Sequence, residues 1–298
     1  MKGSITDKLQ SPGFAHIKDV LEAQNAQFLC QYLLDSFSVE HTSLFSHPDF
    51  KDTYTPSNPF PTYNLNAVRE MLSADPCSYA QLYTIWGMTS VESRISIKFL
   101  SKLLSHKLIS KLSISLYGSV DPSLPIYMHC PPSVRVIYPG NTVSYVPNHA
   151  DCQYNSFLIS NHTDSNLFPF LTCWIPLQGS SLIHGGLHVY PSTYHTLKNR
   201  PLAPHRGWIH DTSNINEDLK LLIDYDLRDV VIFNPFLYHG SSPNLSTDSD
   251  LSNFRVSIDF RFFGKSTSTT KHYLDVRTLK IYDPFTGPCS GHLSNSGN

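Results

Sequence analysis

Apolar residues between Ile17 and Phe37 recur at helical spacing (Val20, Leu21, Ala26, Phe28, Leu29, Tyr32, Leu33, Leu34), which predicts an amphipathic helix. His47-Pro48 and the run from Thr55 to Pro61 break any regular element. Helical patterns resume over residues 65–72, 79–87 and 91–116, the last long enough to be split. From Pro125 the pattern changes. Short β-branched and aromatic runs alternate with Gly, Pro and Asn turns, which predicts strands over 133–138, 142–146, 157–159, 170–176, 187–190, 229–234 and 254–263. Pro139-Gly140 makes the first two a hairpin, residues 215–224 read as helix, and the Gly/Ser/Asn-rich tail after Thr286 reads as frayed.

The expected class is therefore α+β. A mainly helical part (1–124) packs on a core (125–264) built as a double-stranded β-helix, or jelly roll, and an extension (265–298) follows. The absence of a linker or repeat argues for one folded unit of 298 residues.

Composition narrows the function. Hydrophobic residues make up 40% and charged residues 15%, so the chain should fold rather than remain disordered. A net charge of −2 leaves no basic excess for nucleic acid or for a membrane surface. No apolar stretch is long enough to span a bilayer, and Met1 to Ser11 lacks the apolar segment of a secretory signal. A cytoplasmic enzyme is expected, monomeric or weakly homo-oligomeric, with a small-molecule substrate. The cysteines (Cys30, Cys77, Cys130, Cys152, Cys173, Cys289) are scattered, which reads as reduced thiols.

The chemistry centres on His149-Ala150-Asp151. In an extended segment, side chains alternate, so His149 and Asp151 share a face and can take adjacent positions on a metal. His239 is the third candidate. It follows an apolar run interrupted by Pro235, and Gly240 after it allows the backbone to turn beside a bound group. Two imidazoles and a carboxylate on one face of a metal leave open positions, the arrangement of non-haem Fe(II) oxygenases. The strand at 254–263 places Arg255, Ser257, Asp259 and Arg261 on one face and Val256, Ile258 and Phe260 on the other. A polar face carrying two arginines, turned into a barrel, calls for anions; turned to solvent, it would hold Arg–Asp pairs. Arg135 and Tyr145 lie on strands leading to His149, and Tyr154, Asn155 and Trp174 are candidates to line the substrate space. His184 and His188 flank Gly185-Gly186 without a nearby carboxylate, which falls short of a second metal site.

Five segments, His149-Ala-Asp151-Cys-Gln-Tyr154-Asn155, Leu171 to Leu177, Gly185 to Ser192, Asp229 to Gly240 and Arg255-Val-Ser257-Ile-Asp-Phe-Arg261, together resemble the Fe(II)/2-oxoglutarate-dependent dioxygenases. The likeness is to the phytanoyl-CoA-hydroxylase-like branch, with its natural-product enzymes of the streptomycin-biosynthesis type. Gly13 to Leu21 resembles that family's opening strand and helix. The resemblance implies a jelly roll with His149, Asp151 and His239 as the catalytic iron ligands. Arg255, Ser257 and Tyr145 would hold 2-oxoglutarate. Arg261, Arg135, Tyr154, Asn155 and Trp174 would meet the substrate. The interval from His239 to Arg255 exceeds the family's usual one, the extra residues falling in the polar loop Ser246 to Asn253. Arg261 is thus the alternative for 2-oxoglutarate, and Arg255 is preferred because Arg-x-Ser fits it.

The implied reaction consumes O2 and 2-oxoglutarate, releases succinate and CO2, and oxidises a C–H bond of a small metabolite. Asp151 implies hydroxylation, desaturation or ring closure, as in kainoid synthases, rather than halogenation, for which that carboxylate is replaced by a small residue. A spare cation at Arg261 or Arg135 suggests a carboxylate-bearing substrate. The remaining alternatives are a non-catalytic jelly-roll sensor of metal or 2-oxoglutarate and a zinc hydrolase using the same ligands.

Overall fold

The computed structural model describes residues 4–30, 97–129, 133–137, 148–153, 168–179, 182–191, 193, 215–246, 255–265, 269, 273–283, 285 and 287–288. The helices expected at 65–72 and 79–87, the strands at 142–146 and 157–159 and the Pro139-Gly140 turn lie outside these residues.

Strand β9 (Arg255–Gly264) is the axis of the larger sheet. Its Val256, Ile258, Phe260 and Phe262 are fully buried on one face. Strand β4 (Leu171–Gln178) runs antiparallel along one side, from Leu171 opposite Phe262 to Gln178 opposite Val256, with an irregularity between Pro176 and Gln178. Along the other side lie two shorter strands. β2 (Ile126–His129) puts Met128 opposite Phe262, and β3 (Ser133–Ile137) puts Ile137 opposite Arg255. β7 (Val230–Phe233) and then β1 (Phe14–Ile17) extend the sheet beyond β4. β10 (Tyr273–Asp275), β11 (Ile281–Asp283) and β12 (Gly287–Pro288) extend it beyond β2, nine strands in all among the described residues. The β-sheet therefore continues past residue 264, into the segment set apart in the sequence as an extension.

A second sheet has three strands in the order β6 (Leu221–Leu222), β5 (Leu187–Tyr190), β8 (Tyr238–Ser241). The chain passes from β7 to β8, and so between sheets, through a turn at Asn234. The Asn234 side chain accepts from the Phe236 N–H at 2.9 Å and donates to the Leu9 carbonyl at 2.7 Å. Trp174, Val231 and Phe233 of the larger sheet pack with Leu187 and Val189 of the smaller one in a single apolar cluster. Two facing antiparallel sheets make this a jelly roll, the architecture the strand pattern predicted.

Helices cover the outer face of the larger sheet. In α3 (His106–Tyr117), Leu108, Leu112 and Leu116 form a buried stripe that packs in the same cluster as Val256, Ile258 and Phe260. Truncating Leu112 to alanine would cost about 2–5 kcal/mol. The expected long helix is split. α2 (Ile97–Leu103) ends, and Ser105 caps α3 by accepting from the Leu108 N–H at 3.2 Å. Gly118 closes α3 at φ 76°.

Two expectations are corrected. The helix expected from Ile17 begins only at residue 23, because Phe14 to Ile17 pair with β7 and the chain turns at Asp19. Residues 215–224 do not form a helix. A 3-10 turn, Glu217–Leu219, leads into β6, where Leu221 faces Val189 and the Ile223 N–H donates to the Leu187 carbonyl at 3.0 Å. The open edge of β5 prevails over local helical spacing. A short helix the sequence reading missed, α1 (Ile5–Gln10), is held by a capping box between Ser4 and Asp7.

Candidate metal centre

His149 and His239 face each other across an isolated antiparallel bridge, exchanging both backbone hydrogen bonds at 2.9 Å. Directly opposed residues carry their side chains on the same face of the pair. The two imidazoles accordingly lie side by side, with ring centroids 4.3 Å apart. His239 donates through Nδ1 to the Leu237 carbonyl at 3.0 Å, which selects the tautomer whose Nε2 keeps its lone pair for a metal. Phe233 packs on the same ring at 4.5 Å.

Asp151 joins them differently from the sequence expectation. It opens a 3-10 turn, Asp151–Gln153, instead of continuing an extended segment. The Cys152 N–H donates to the Pro235 carbonyl at 2.8 Å and ties this turn to the β7–β8 crossover. Asp151 still converges on the histidines, its Oδ1 lying 3.8 Å from His149 Nε2. One candidate ligand atom from each of His149, Asp151 and His239 lies within 4.8 Å of the others, and all three residues are buried.

The carboxylate is oriented on both oxygens. Thr172 donates to Oδ2, and Arg261 Nη2 donates to Oδ1 at 2.6 Å. Burial alone would raise the Asp151 pKa. The positive charge of Arg261, then His239 and His149, and the Thr172 hydroxyl outweigh burial and hold it well below the usual carboxylate range. The second terminal nitrogen of Arg261 donates to Asp259. The cluster opens into a cleft lined by Thr172, Trp174, Leu187, Phe233, Gly240, Ser241, Asp259 and Arg261 besides the two histidines.

Among solved structures, the chain is similar to the non-heme monooxygenase ThoJ, at 11% identity and TM-score 0.56 over 92% of this chain and 83% of that one. It is similar to the epimerase SnoN from nogalamycin biosynthesis, in a structure with Fe3+ and alpha ketoglutarate, at 15% identity and TM-score 0.53 over 96% and 94%. It is also similar to the non-heme alpha ketoglutarate dependent carbocyclase SnoK from nogalamycin biosynthesis, at 14% identity and TM-score 0.52 over 98% and 95%. The chain shares their fold. No protein-family model and no curated protein matches it by sequence.

Arg255 lies 1% exposed between the sheets, donating to the Gly185 carbonyl at 2.8 Å and to Ser241 Oγ at 3.1 Å. Ser241 follows His239 by two positions on β8, so Arg255 is anchored beside the strand that carries His239. Ser257 is fully buried, with no hydrogen-bond partner for its hydroxyl among the described residues. Trp174 lines the cleft, its ring 5.1 Å from that of Tyr225. Arg261, expected as a spare cation, is engaged by Asp151 and Asp259. Arg135 is paired through its backbone with Ser257 on β9, while its side chain, with Tyr145, Tyr154 and Asn155, lies outside the described residues.

His188 faces away from the cluster. Strand alternation turns Leu187 and Val189 inward and His188 and Tyr190 outward. His188 donates from Nε2 to Asn148 Oδ1 at 2.6 Å, Asn148 donates to the Tyr190 hydroxyl at 2.8 Å, and Tyr190 donates to Glu217 at 2.9 Å. This chain fixes the residue preceding His149. Gly240, opposite His188, makes room for it: a Cβ there would lie 2.7 Å from Asn148 Oδ1 and 2.9 Å from His188 Nε2. Sequence reasoning missed Thr172 and Asn148. Thr172 carried a usable signal, since it sits two positions before Trp174 on the same strand face. The Asn148–His188 contact joins distant segments and left no such signal.

Proposed function

We propose that this protein is a non-haem iron- and 2-oxoglutarate-dependent oxygenase acting on a small metabolite, with His149, Asp151 and His239 as its iron ligands. The observation that carries the reading is the buried convergence of those three side chains, with the His239 tautomer already set for coordination. Two nitrogens and one carboxylate oxygen suit Fe(II), and a three-residue set leaves positions open for small ligands. When bound, iron with 2-oxoglutarate and dioxygen supplies the oxidising power to break a C–H bond, the keto acid leaving as succinate and carbon dioxide.

The chain's own contribution is orientation and shielding. Thr172 and Arg261 hold the Asp151 carboxylate in one pose. Arg255 is fixed beside Ser241, about 7 Å along β8 from His239 at the usual strand rise, a span suited to a five-carbon dicarboxylate. Its guanidinium is therefore the favoured partner for the far carboxylate of 2-oxoglutarate, with Ser257 next to it on the inward face of β9. Trp174, Leu187 and Phe233 give the cleft apolar walls that exclude water. Since Arg261 is engaged with Asp151 and Asp259, the reading does not require a carboxylate on the substrate. Hydroxylation, desaturation and oxidative ring closure are the reaction classes it covers, and a natural-product intermediate is the substrate class that the similar structures suggest.

The test is turnover of 2-oxoglutarate without substrate. The protein should form succinate slowly, in a reaction requiring both Fe(II) and dioxygen, and Asp151→Ala and His239→Ala should abolish it. Undiminished succinate from either variant would overturn the ligand assignment.

A further inference from the structure

The sheet face that carries Arg261 does not end at the metal corner. Phe263 follows Arg261 by two positions on β9, about 7 Å further along the strand, and points to the same side. Phe170 packs on Phe263, with Tyr127 and Tyr273 against the pair. The strand pairings bring these rings together. Tyr127 on β2 lies opposite Phe263, Tyr273 on β10 lies opposite His129 of β2, and Tyr282 on β11 lies opposite Tyr273. Opposed residues share a face, so the rings line one side of the sheet.

They form a continuous shelf. Ring centroids are 5.6 Å apart for Tyr127 and Phe263, 5.1 Å for Tyr127 and Tyr273, which meet edge-on, and 5.2 Å for Tyr273 and Tyr282, whose planes differ by 10°. Phe170 and Phe263 are buried at its root, whereas Tyr127, Tyr273 and Tyr282 are half-buried. At the usual strand spacing, the shelf reaches about 10 Å from β9 across β2 to β10, the footprint of a small fused-ring system.

The charged groups beside the shelf already have partners. Asp275, opposite Tyr127, accepts from the Arg277 and Thr278 N–H groups at 2.8 and 3.2 Å. His129 shares a hydrogen bond with Thr269 at 2.7 Å. Arg261, where the shelf meets the cleft, is ion-paired with Asp151 and Asp259. An anion laid on these rings would give up hydration for little return. A cation would approach Arg261 and a metal of its own sign. A neutral ring gains buried area and edge-to-face or offset contacts, and the tyrosine hydroxyls can meet its oxygens.

We propose that this shelf is the substrate platform, and that it takes an uncharged substrate built on a flat ring system, lying on Tyr127 and Tyr273 with one edge toward the metal corner. The inference rests on the oxygenase reading and deepens it, since it names the substrate class.

Equilibrium dialysis of the full-length, Zn(II)-loaded protein against 2-naphthol, 2-naphthoate and 2-naphthylmethylammonium at neutral pH tests it without turnover. The neutral probe should bind at least fivefold more tightly than either ion. Tyr127→Ala and Tyr273→Ala should each weaken it about three- to tenfold, the worth of one aromatic contact, while Tyr127→Phe and Tyr273→Phe should keep it. Retained Zn(II) affinity shows that a variant is folded. Replacing Zn(II) by Mn(II) should broaden the proton resonances of bound 2-naphthol, a readout that needs no variant. Tighter binding of either ion, unchanged 2-naphthol affinity in both alanine variants, or no broadening by Mn(II) would overturn the platform. Should the protein bind Zn(II) and 2-oxoglutarate but not 2-naphthol, the platform fails and the oxygenase reading stands; should it bind no metal, the oxygenase reading fails, and the platform fails with it as a substrate site.

Discussion

Around Asp151 the polar atoms answer one another: one carboxylate oxygen takes the Thr172 hydroxyl and the other takes Arg261, which also reaches Asp259. Around Arg255, a few residues away on the same inward face of β9, two buried hydroxyls have no partner among the described residues. The first region is assembled by the protein alone. The second carries polar groups whose desolvation, about 1–3 kcal/mol for each unmatched group, nothing described in the protein offsets. If the proposed oxygenase reading holds, the organised corner is the one that would keep a metal and the unmatched corner the one that would receive an exchanging co-substrate. On that reading, preorganisation would be confined to the part that does not exchange.

The largest effect should come from Gly185→Ala, which breaks the arginine corner. Gly185 has φ +75°, and a Cβ would lie 2.2 Å from the Ser242 carbonyl oxygen, a backbone atom with nowhere to go. Its own carbonyl also anchors Arg255. Denaturant unfolding should show a loss of about 2–5 kcal/mol, and a variant as stable as the parent would mean that the corner is more pliable than the contacts imply. Next comes Thr172→Val at the metal corner, nearly isosteric but without the hydroxyl. Metal affinity should drop about 10- to 100-fold, as for other partners that orient a ligand. Competition with a chelator would measure it, and unaltered affinity would leave Arg261 as the sole orienting group.

The smallest effect concerns the outer wall behind His149. Burial, aided by Lys220, His239 and Arg255, depresses the His188 pKa to about 3. The folded protein thus keeps His188 neutral, while the unfolded chain takes up a proton below about 6.5. Stability from this group is complete above that value and is lost as pH falls toward 3. His188→Gln should flatten the decline in stability between pH 6.5 and 4 by up to one proton's worth of slope. An unchanged slope would show that His188 protonates freely in the fold.

What could be read from the chain was periodicity. The alternation in β9 separated Arg255, Ser257, Asp259 and Arg261 from the apolar residues that meet the helices, and that separation holds in the fold. His149 and Asp151 were paired on the premise of an extended segment, whereas a single bridge followed by a 3-10 turn brings them together. Tyr225 was not singled out because it directly follows residues 215–224, which read as helix; the pairing of β6 with β5 instead leads the chain to Tyr225, whose ring stands against Trp174. Arg261 looked spare because its partners, Asp151 and Asp259, become neighbours only when β9 lies against the Asp151 turn.

The central claim is that His149, Asp151 and His239 hold iron that a keto acid can chelate. Its most direct test is anaerobic titration of the metal-free protein with Fe(II) and then 2-oxoglutarate, followed by visible absorbance. The account predicts a weak metal-to-ligand charge-transfer band that appears only when both are present. A folded protein that binds Fe(II) and shows no band on saturation with 2-oxoglutarate would contradict it.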